Sequence, residues 1–329
     1  MMKPLFSIIV PMYNVEQFIV RCLNSIFDHN YNTTNFEVIL VDDESPDNST
    51  DIARIFLESN GFSNFKIISQ KNKGLGGARN TGINNALGDY LVFLDADDVL
   101  NFNVLECIEQ EVLSIKFDIC EFGANILNEN MNITSVFKPN QVITPVAGTS
   151  YFLKEKSIPS VCNKIYRTSF IREKNLLFRE RLYIEDFEFN TRAFFYAQNV
   201  ISTNSIILEG FVQTQNSITR NKNNETKNKL VQDLFIVSAF VKSFAEQHAS
   251  LSDMYFRNRL ARLNTNQLYQ AYKYQYSATE IKNIINVLKK RELYYLDTPI
   301  KPIRRNLFRI FIYRVEFLFL LIVKLKNER

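Results

Sequence analysis

Asp89-Tyr-Leu-Val-Phe-Leu-Asp-Ala-Asp-Asp98 is an apolar run that stops abruptly at three carboxylates. A short β-branched and aromatic run bounded by polar residues is the pattern of a strand buried on both faces. Two runs upstream repeat it. Leu5-Phe-Ser-Ile-Ile-Val10 is closed by Pro11, where the ladder is expected to stop because proline donates no hydrogen bond, and Phe36-Glu-Val-Ile-Leu-Val41 ends at Asp42-Asp43. Phe65 to Ser69 is a weaker fourth run. Helical stretches fall between, at about Val15 to Asp28, Ser49 to Glu58 and Gly77 to Leu87. This alternation with short connections predicts an α/β fold: a doubly wound, mostly parallel central sheet flanked by helices. Ligands bind such sheets beyond the carboxyl ends of the strands, where Asn14, Asp42-Asp43 and Asp95 to Asp98 stand.

From Val112 to Val212 the alternation weakens, with a strand expected over Phe117 to Phe122 and a helix over Tyr183 to Ala197. Asn221 to Asn228 is polar and charged and reads as a linker. Leu230 to Leu296 then shows helical spacing, with Leu234, Val237, Val241 and Phe244 on one stripe. At 329 residues, with 46 % hydrophobic and 22 % charged residues, the chain is too long for a mini-protein and too apolar for disorder. Four cysteines without a CxxC pair, and only two histidines, argue against a zinc site, a disulfide framework and a His-dependent triad.

The net charge of +4 is unevenly placed. Lys301 to Arg329 holds eight Lys/Arg against two Asp/Glu, so the rest carries a slight negative balance and a nucleic-acid-binding surface is not expected. Within this segment Leu307, Ile310, Phe311, Val315, Leu318 and Leu321 alternate with Arg304, Arg305, Arg309 and Arg314. Its longest apolar run, Phe317 to Val323, is far short of the ~20 residues needed to span a bilayer. A basic amphipathic helix lying on an anionic membrane surface is expected, the alternative being a terminal helix packed on the helical region. No signal-like leader precedes Pro4, so the expected address is the cytoplasm.

Four segments carry candidate chemistry. Asp95 and Asp97 end a strand at i and i+2 and could converge on one hard cation, Mg2+ or Mn2+, although an Asp-rich turn capping a helix gives the same pattern. Asp42 and Asp43 could accept hydrogen bonds from a nucleoside, whereas Asp47 to Ser49 reads better as a turn and cap. Lys73-Gly-Leu-Gly-Gly-Ala-Arg79-Asn80 offers a helix N-terminus and basic side chains to phosphates, or equally a helix start packed closely on a strand. Tyr183-Ile-Glu185-Asp186-Phe187 places two acids among apolar side chains, where burial favours a general base; ordinary helix-start acids are the alternative.

Together, Ser7-Ile-Ile-Val-Pro-Met-Tyr-Asn14, Val41-Asp-Asp-Glu-Ser45, Asn72-Lys-Gly-Leu-Gly-Gly-Ala-Arg-Asn80, Leu94-Asp-Ala-Asp-Asp98 and Glu185-Asp186 resemble, in order and spacing, bacterial family 2 glycosyltransferases of the GT-A fold, over residues 3 to 220. The resemblance implies an inverting transferase that uses a nucleotide sugar, most often a UDP-sugar, to build capsule or other surface polysaccharide. It implies a nucleotide-sugar-binding half (1–110) and an acceptor-binding half (111–220); beyond it, the residue pattern itself predicts a helical extension (221–299) and a membrane-associated helix (300–329). Pro11, Tyr13, Asn14, Asp42, Asp43 and Ser45 would border the nucleoside. Lys73, Gly74, Arg79, Asp95 and Ala96 would meet the rest of the nucleotide sugar, with Asp95 and Asp97 binding Mg2+ or Mn2+. Asp186 would be the base, assisted by Glu185. Lys164, Ser217, Thr219 and Arg220 look like the family's acceptor or phosphate side, but Gln213 and Gln215 replace residues of an aromatic, Arg-bearing strand. The implied partners are the donor, a glycan or lipid-linked glycan acceptor and the inner face of the cell membrane; self-association stays open. A polyprenyl-phosphate transferase and a silent sugar-nucleotide-binding or membrane scaffold are the rival readings.

Overall fold

The structure, a computed structural model, describes residues 3–27, 31–213 and 223–327. The chain divides into two compact units, Met1–Ser217 and Ile218–Arg329. In the first, β1 (Phe6–Met12), β2 (Phe36–Asp42), β3 (Phe65–Ser69) and β4 (Tyr90–Phe93) alternate with α1 (Ile19–Phe27), α2 (Ser49–Ser59) and α3 (Gly74–Asn85). These four strands lie parallel in the order β3-β2-β1-β4, as the alternation predicts.

β5 (Val99–Leu100), α4 (Val104–Glu111), β6 (Ile119–Asn128), β7 (Ile133–Phe137), β8 (Val142–Val146), α5 (Gly148–Lys154), β9 (Lys164–Arg167), α6 (Thr168–Glu173), α7 (Glu185–Tyr196) and β10 (Val200–Gln213) follow. The sheet continues β4-β9-β6-β10-β5, with β7 on β6 and β8 on β10. β9 is antiparallel to both its neighbours, which accounts for the weakened sequence alternation: reversed and long strands replace the βα repeat.

One expectation changes at Pro11. β1 continues through it to Met12, fully buried. The amide of Leu94 donates to Ile9 O and that of Asp43 to Met12 O, so alternate residues of β1 address β4 and β2. Pro11 shares the β4-facing set with Ile9, and β4 has already ended at Phe93. Its missing donor therefore falls where no ladder partner is required.

The second unit holds α8 (Asn224–His248), α9 (Met254–Lys273), α10 (Ala278–Lys290), α11 (Ile303–Arg314) and α12 (Glu316–Asn327). The expected linker is corrected: from Asn224 the polar stretch is the first turn of α8, capped by the Asn223 side chain accepting the Glu225 amide. Its polar residues are a solvated helix face. The single C-terminal helix is corrected to two, interrupted at Val315, whose φ of −137° and ψ of 50° leave the helical region. Ile312, Phe319 and Val323 pack with Ile281, Ile285 and Leu296 in one buried cluster, so part of each terminal helix belongs to the core of this unit.

Gly82 of α3 lies against β1: a Cβ added there would stand 2.3 Å from Ile9 Cγ2. Gly82→Ala should therefore overpack the helix–sheet contact and destabilise the chain by about 1–3 kcal/mol, read as a lower urea midpoint. An unchanged midpoint would show that the contact has slack.

Candidate active site

The strand ends assemble a site at one edge of the sheet. Beyond β1, Tyr13 and Asn14 are exposed, and Asn14 turns the chain with a φ of 56°. β2 delivers Asp42, and β4 leads into Asp95. Because β9 is antiparallel to β4, pairing Ile165 with Val92, its start carries Cys162, Asn163 and Lys164 to the same edge.

Arg79 of α3 is the centre of the arrangement. Only 2 % exposed, it donates from Nη2 to Asp95 Oδ1 (2.8 Å) and from Nη1 to Glu185 Oε1 (2.5 Å). Its guanidinium lies 5.3 Å from the centroid of the Phe178 ring. The neighbouring Asn80 side chain donates to Phe178 O (2.9 Å) and accepts from Phe178 N (2.7 Å). Phe178 in turn stacks on Phe189 of α7 at 3.9 Å, with Phe93 edge-on to Phe178 at 5.3 Å. Arg79 thus ties the start of α7 to the turn after β4 by charge, and the Asn80 side chain holds the backbone at Phe178, ahead of α7.

The charges bear this out. Burial disfavours the Arg79 charge, but Asp95 and then Glu185 outweigh it and raise its pKa. Burial, opposed by Arg79 and reinforced by Asp186, lifts the Glu185 carboxyl to about 7. Burial likewise raises Asp186 above the ordinary carboxylate range, again opposed by Arg79. The Asp186 carboxylate accepts the Phe187 amide (2.6 Å), which fixes its rotamer at the first turn of α7. Burial and then Asp95 push Asp97 up to about 6.

Two of the expected site residues are engaged inside the protein. Arg79, expected at the nucleotide, is paired with two carboxylates. Glu185, expected to assist the base, is buried in that ion pair, while Asp186 is half-buried.

The residues fit a hard divalent cation. Asp95 and Asp97 supply oxygen donors at one turn, and Asp97 is raised by burial first and by the neighbouring Asp95 second. Asp98 and Cys162 approach Asp95 as well, with ligand atoms of all three within 4.8 Å of one another. Burial and then Asp95 push the Cys162 thiol up, and a hard ion prefers the carboxylate oxygens beside it. Arg21 of α1 donates to Asp97 O (2.8 Å) and so holds the same turn. Arg21 has no role in the sequence reading, and Cys162 enters it only within the segment Cys162-Asn-Lys164-Ile-Tyr166, similar to the family's acceptor half, because its approach to the carboxylates exists in space alone.

The two nucleoside candidates diverge. Asp43, buried, accepts from Gln70 Nε2 (2.7 Å) and from the Lys73 amide (2.9 Å), so it shapes the loop before α3. Asp42 is half-buried and accepts the Ser45 amide (3.0 Å). Pro11 and Ala96 are buried beneath this edge, while Lys73 is exposed. Gly74 has a φ of 75°, and a Cβ there would stand 3.1 Å from the Arg181 backbone. Glycine is required at Gly74 by conformation and close approach, whatever binds. Asp47 accepts from Ser49 and the Glu16 amide, in keeping with its reading as a turn residue.

Lys164, expected on the acceptor or phosphate side, is wholly buried: it pairs with Glu121 (3.0 Å) and donates to Ile158 O (2.8 Å) and Ser160 O (2.7 Å). Ser217, Thr219 and Arg220, with Gln215, lie outside the described residues.

The glycosyl transferase family 2 profile matches residues 7–171, half of the chain and every strand end of this site. The chain belongs to that family. It is 35% identical over 205 residues to an uncharacterized glycosyltransferase, EpsJ, of Bacillus subtilis, a stretch that is 60% of this chain and 58% of EpsJ. It is 28% identical over 193 residues to a Methanococcus voltae transferase named for a dolichyl N-acetyl-glucosaminyl phosphate, covering 56% of this chain and 60% of that protein. The chain thus spans less than two-thirds of the length of these relatives. The crystal structure of Staphylococcus aureus TarS 1–349 in complex with UDP-GlcNAc superimposes with a TM-score of 0.64 at 19% identity, over 98% of this chain and 88% of TarS 1–349. The fold is therefore the GT-A fold.

Arg79→Met should leave the buried Glu185 carboxylate without its partner and cost about 3–5 kcal/mol, read by urea denaturation. Adding Glu185→Leu should recover most of that loss. Strictly additive losses would show that the ion pair does not couple α3 to α7.

Proposed function

We propose that the chain transfers a hexosyl or N-acetylhexosaminyl group from a UDP-sugar to a hydroxyl of a growing surface glycan of capsule type, with inversion at the anomeric carbon. The observation that carries this reading is Asp186 at the head of α7, tied through Glu185 and Arg79 to Asp95 at the carboxyl edge of β4. One acid faces the departing nucleotide and another the incoming alcohol.

Departure of a nucleoside diphosphate concentrates negative charge at the sheet edge. Asp95 and Asp97 would hold Mg2+ or Mn2+, which when bound neutralises the diphosphate. Tyr13 and Asp42 border the nucleoside, Asp42 accepting from the base or ribose, and Lys73 lies exposed nearby for the phosphates. The UDP-GlcNAc held by TarS supports a uridine donor. Asp186 removes the acceptor proton, and burial, by raising its pKa, makes it a stronger base than an exposed aspartate. Attack from the face opposite the leaving group, in a single displacement, gives inversion. The Methanococcus relative's name supports a lipid-linked acceptor, which would place the work at the inner face of the cell membrane.

Incubation with a panel of UDP- and GDP-sugars and acceptor extracts, with Mn2+ or EDTA, should release UDP only with the ion present. No release from any donor would favour a silent sugar-nucleotide-binding protein. Asp186→Asn should keep donor binding and lower kcat by about 10²–10⁴-fold. Because burial raises Asp186, the wild-type kcat should fall with acid through a limb above the ordinary aspartate range. Full activity in the variant, or a flat profile, would remove Asp186 from the base role.

A further inference from the structure

The two terminal helices each have a face that the second unit does not cover. On α12, Phe319 and Val323 enter the buried cluster, while Phe317 is 81% exposed and Leu318, Leu321 and Leu325 follow it at helical spacing. On α11, Ile312 is buried, while Ile303, Leu307 and Ile310 form an exposed stripe at i, i+4 and i+7. Large apolar side chains gathered this densely on a surface mark a docking site.

The charges around them narrow the occupant. Residues 301–327 contain seven Lys/Arg and one acid, Glu316, which pairs with Lys289 at 2.7 Å. Arg304, Arg314, Lys324 and Lys326 are all exposed. Long basic side chains interleaved with aliphatic and aromatic ones suit a surface whose apolar layer lies under anionic headgroups, because the stems lie along the apolar layer while the charges reach the phosphates. The core of a protein partner's interface is instead depleted of lysine. Each helix has twelve residues, about 18 Å at the helical rise, against a hydrocarbon core of about 30 Å. No described helix is long and apolar enough to cross a membrane, so docking would be in the plane.

We propose that the exposed faces of α11 and α12 dock on an anionic bilayer, with Leu307, Phe317 and Leu321 reaching the acyl boundary and Arg304 and Lys324 meeting lipid phosphates. This names the surface that would serve the lipid-linked acceptor of the reading above, and in that sense rests on it. Vesicle binding is measured without donor or acceptor, so either can fail alone.

The full chain is mixed with vesicles of phosphatidylcholine, with or without about 30 mol % phosphatidylglycerol, and the bound fraction is read by flotation. Binding should be at least ~10-fold tighter to the anionic vesicles and should weaken from ~0.1 to ~0.5 M salt. Phe317→Ser with Leu321→Ser should lower it at least ~10-fold with unchanged thermal melting, since both side chains are exposed. Arg304→Gln with Lys324→Gln should reduce the anionic preference while leaving residual salt-insensitive binding. Equal binding to neutral vesicles, no binding to either, or intact binding in the serine variant would overturn the proposal. Concentration-dependent dimerisation abolished by Phe317→Ser, without flotation, would assign the face to a second copy of the chain.

Discussion

A buried guanidinium between two carboxylates holds the candidate site together. Arg79 reaches Asp95 on one side and Glu185 on the other; the Glu185 contact is buried, and Asp95 keeps part of its side chain in solvent. A buried charge is tolerated only where it is paired and hydrogen-bonded, so the three side chains constrain one another: removing one leaves a costly remnant. Through this pairing the end of a parallel strand and the head of a distant helix share one geometry, although Arg79 and Glu185 are separated by 106 residues.

The surrounding structure makes the pairing affordable in physical terms. Asn80 fixes the backbone leading to α7, and the Phe178–Phe189 stack covers the guanidinium on its apolar side. Arg21 restrains the turn at Asp97 from the opposite helix. Asp186 and Asp97, each half-buried, have pKa values raised first by burial, whereas Asp95 and Glu185 are fixed by Arg79.

The parallel half of the sheet was legible because its strands are short, buried on both faces and closed by acids, so apolar runs and their polar ends carry most of the information. Asp186 was legible as an acid among apolar residues. What escaped was three-dimensional pairing. Lys164 stands in a motif-like stretch yet its charge is consumed by Glu121, a buried acid distant in sequence. The glycine-rich stretch left phosphate contact and close helix packing equally open and carried no sign of Arg79 pairing with Asp95 and Glu185; Gly74 owes its glycine to a positive φ and to the nearby Arg181 backbone. The break at Val315 left no sequence signal, since neither glycine nor proline marks it; the two helices part so that Ile312 and Phe319 can both reach the same core.

The most direct measurement is a crystal structure of the chain soaked with a non-hydrolysable UDP-sugar and Mn2+. The account predicts the pyrophosphate and ion against Asp95 and Asp97, Arg79 still bridging Asp95 and Glu185, and the anomeric carbon facing Asp186. A donor bound elsewhere on the sheet, or Asp186 turned away from the sugar, would contradict it.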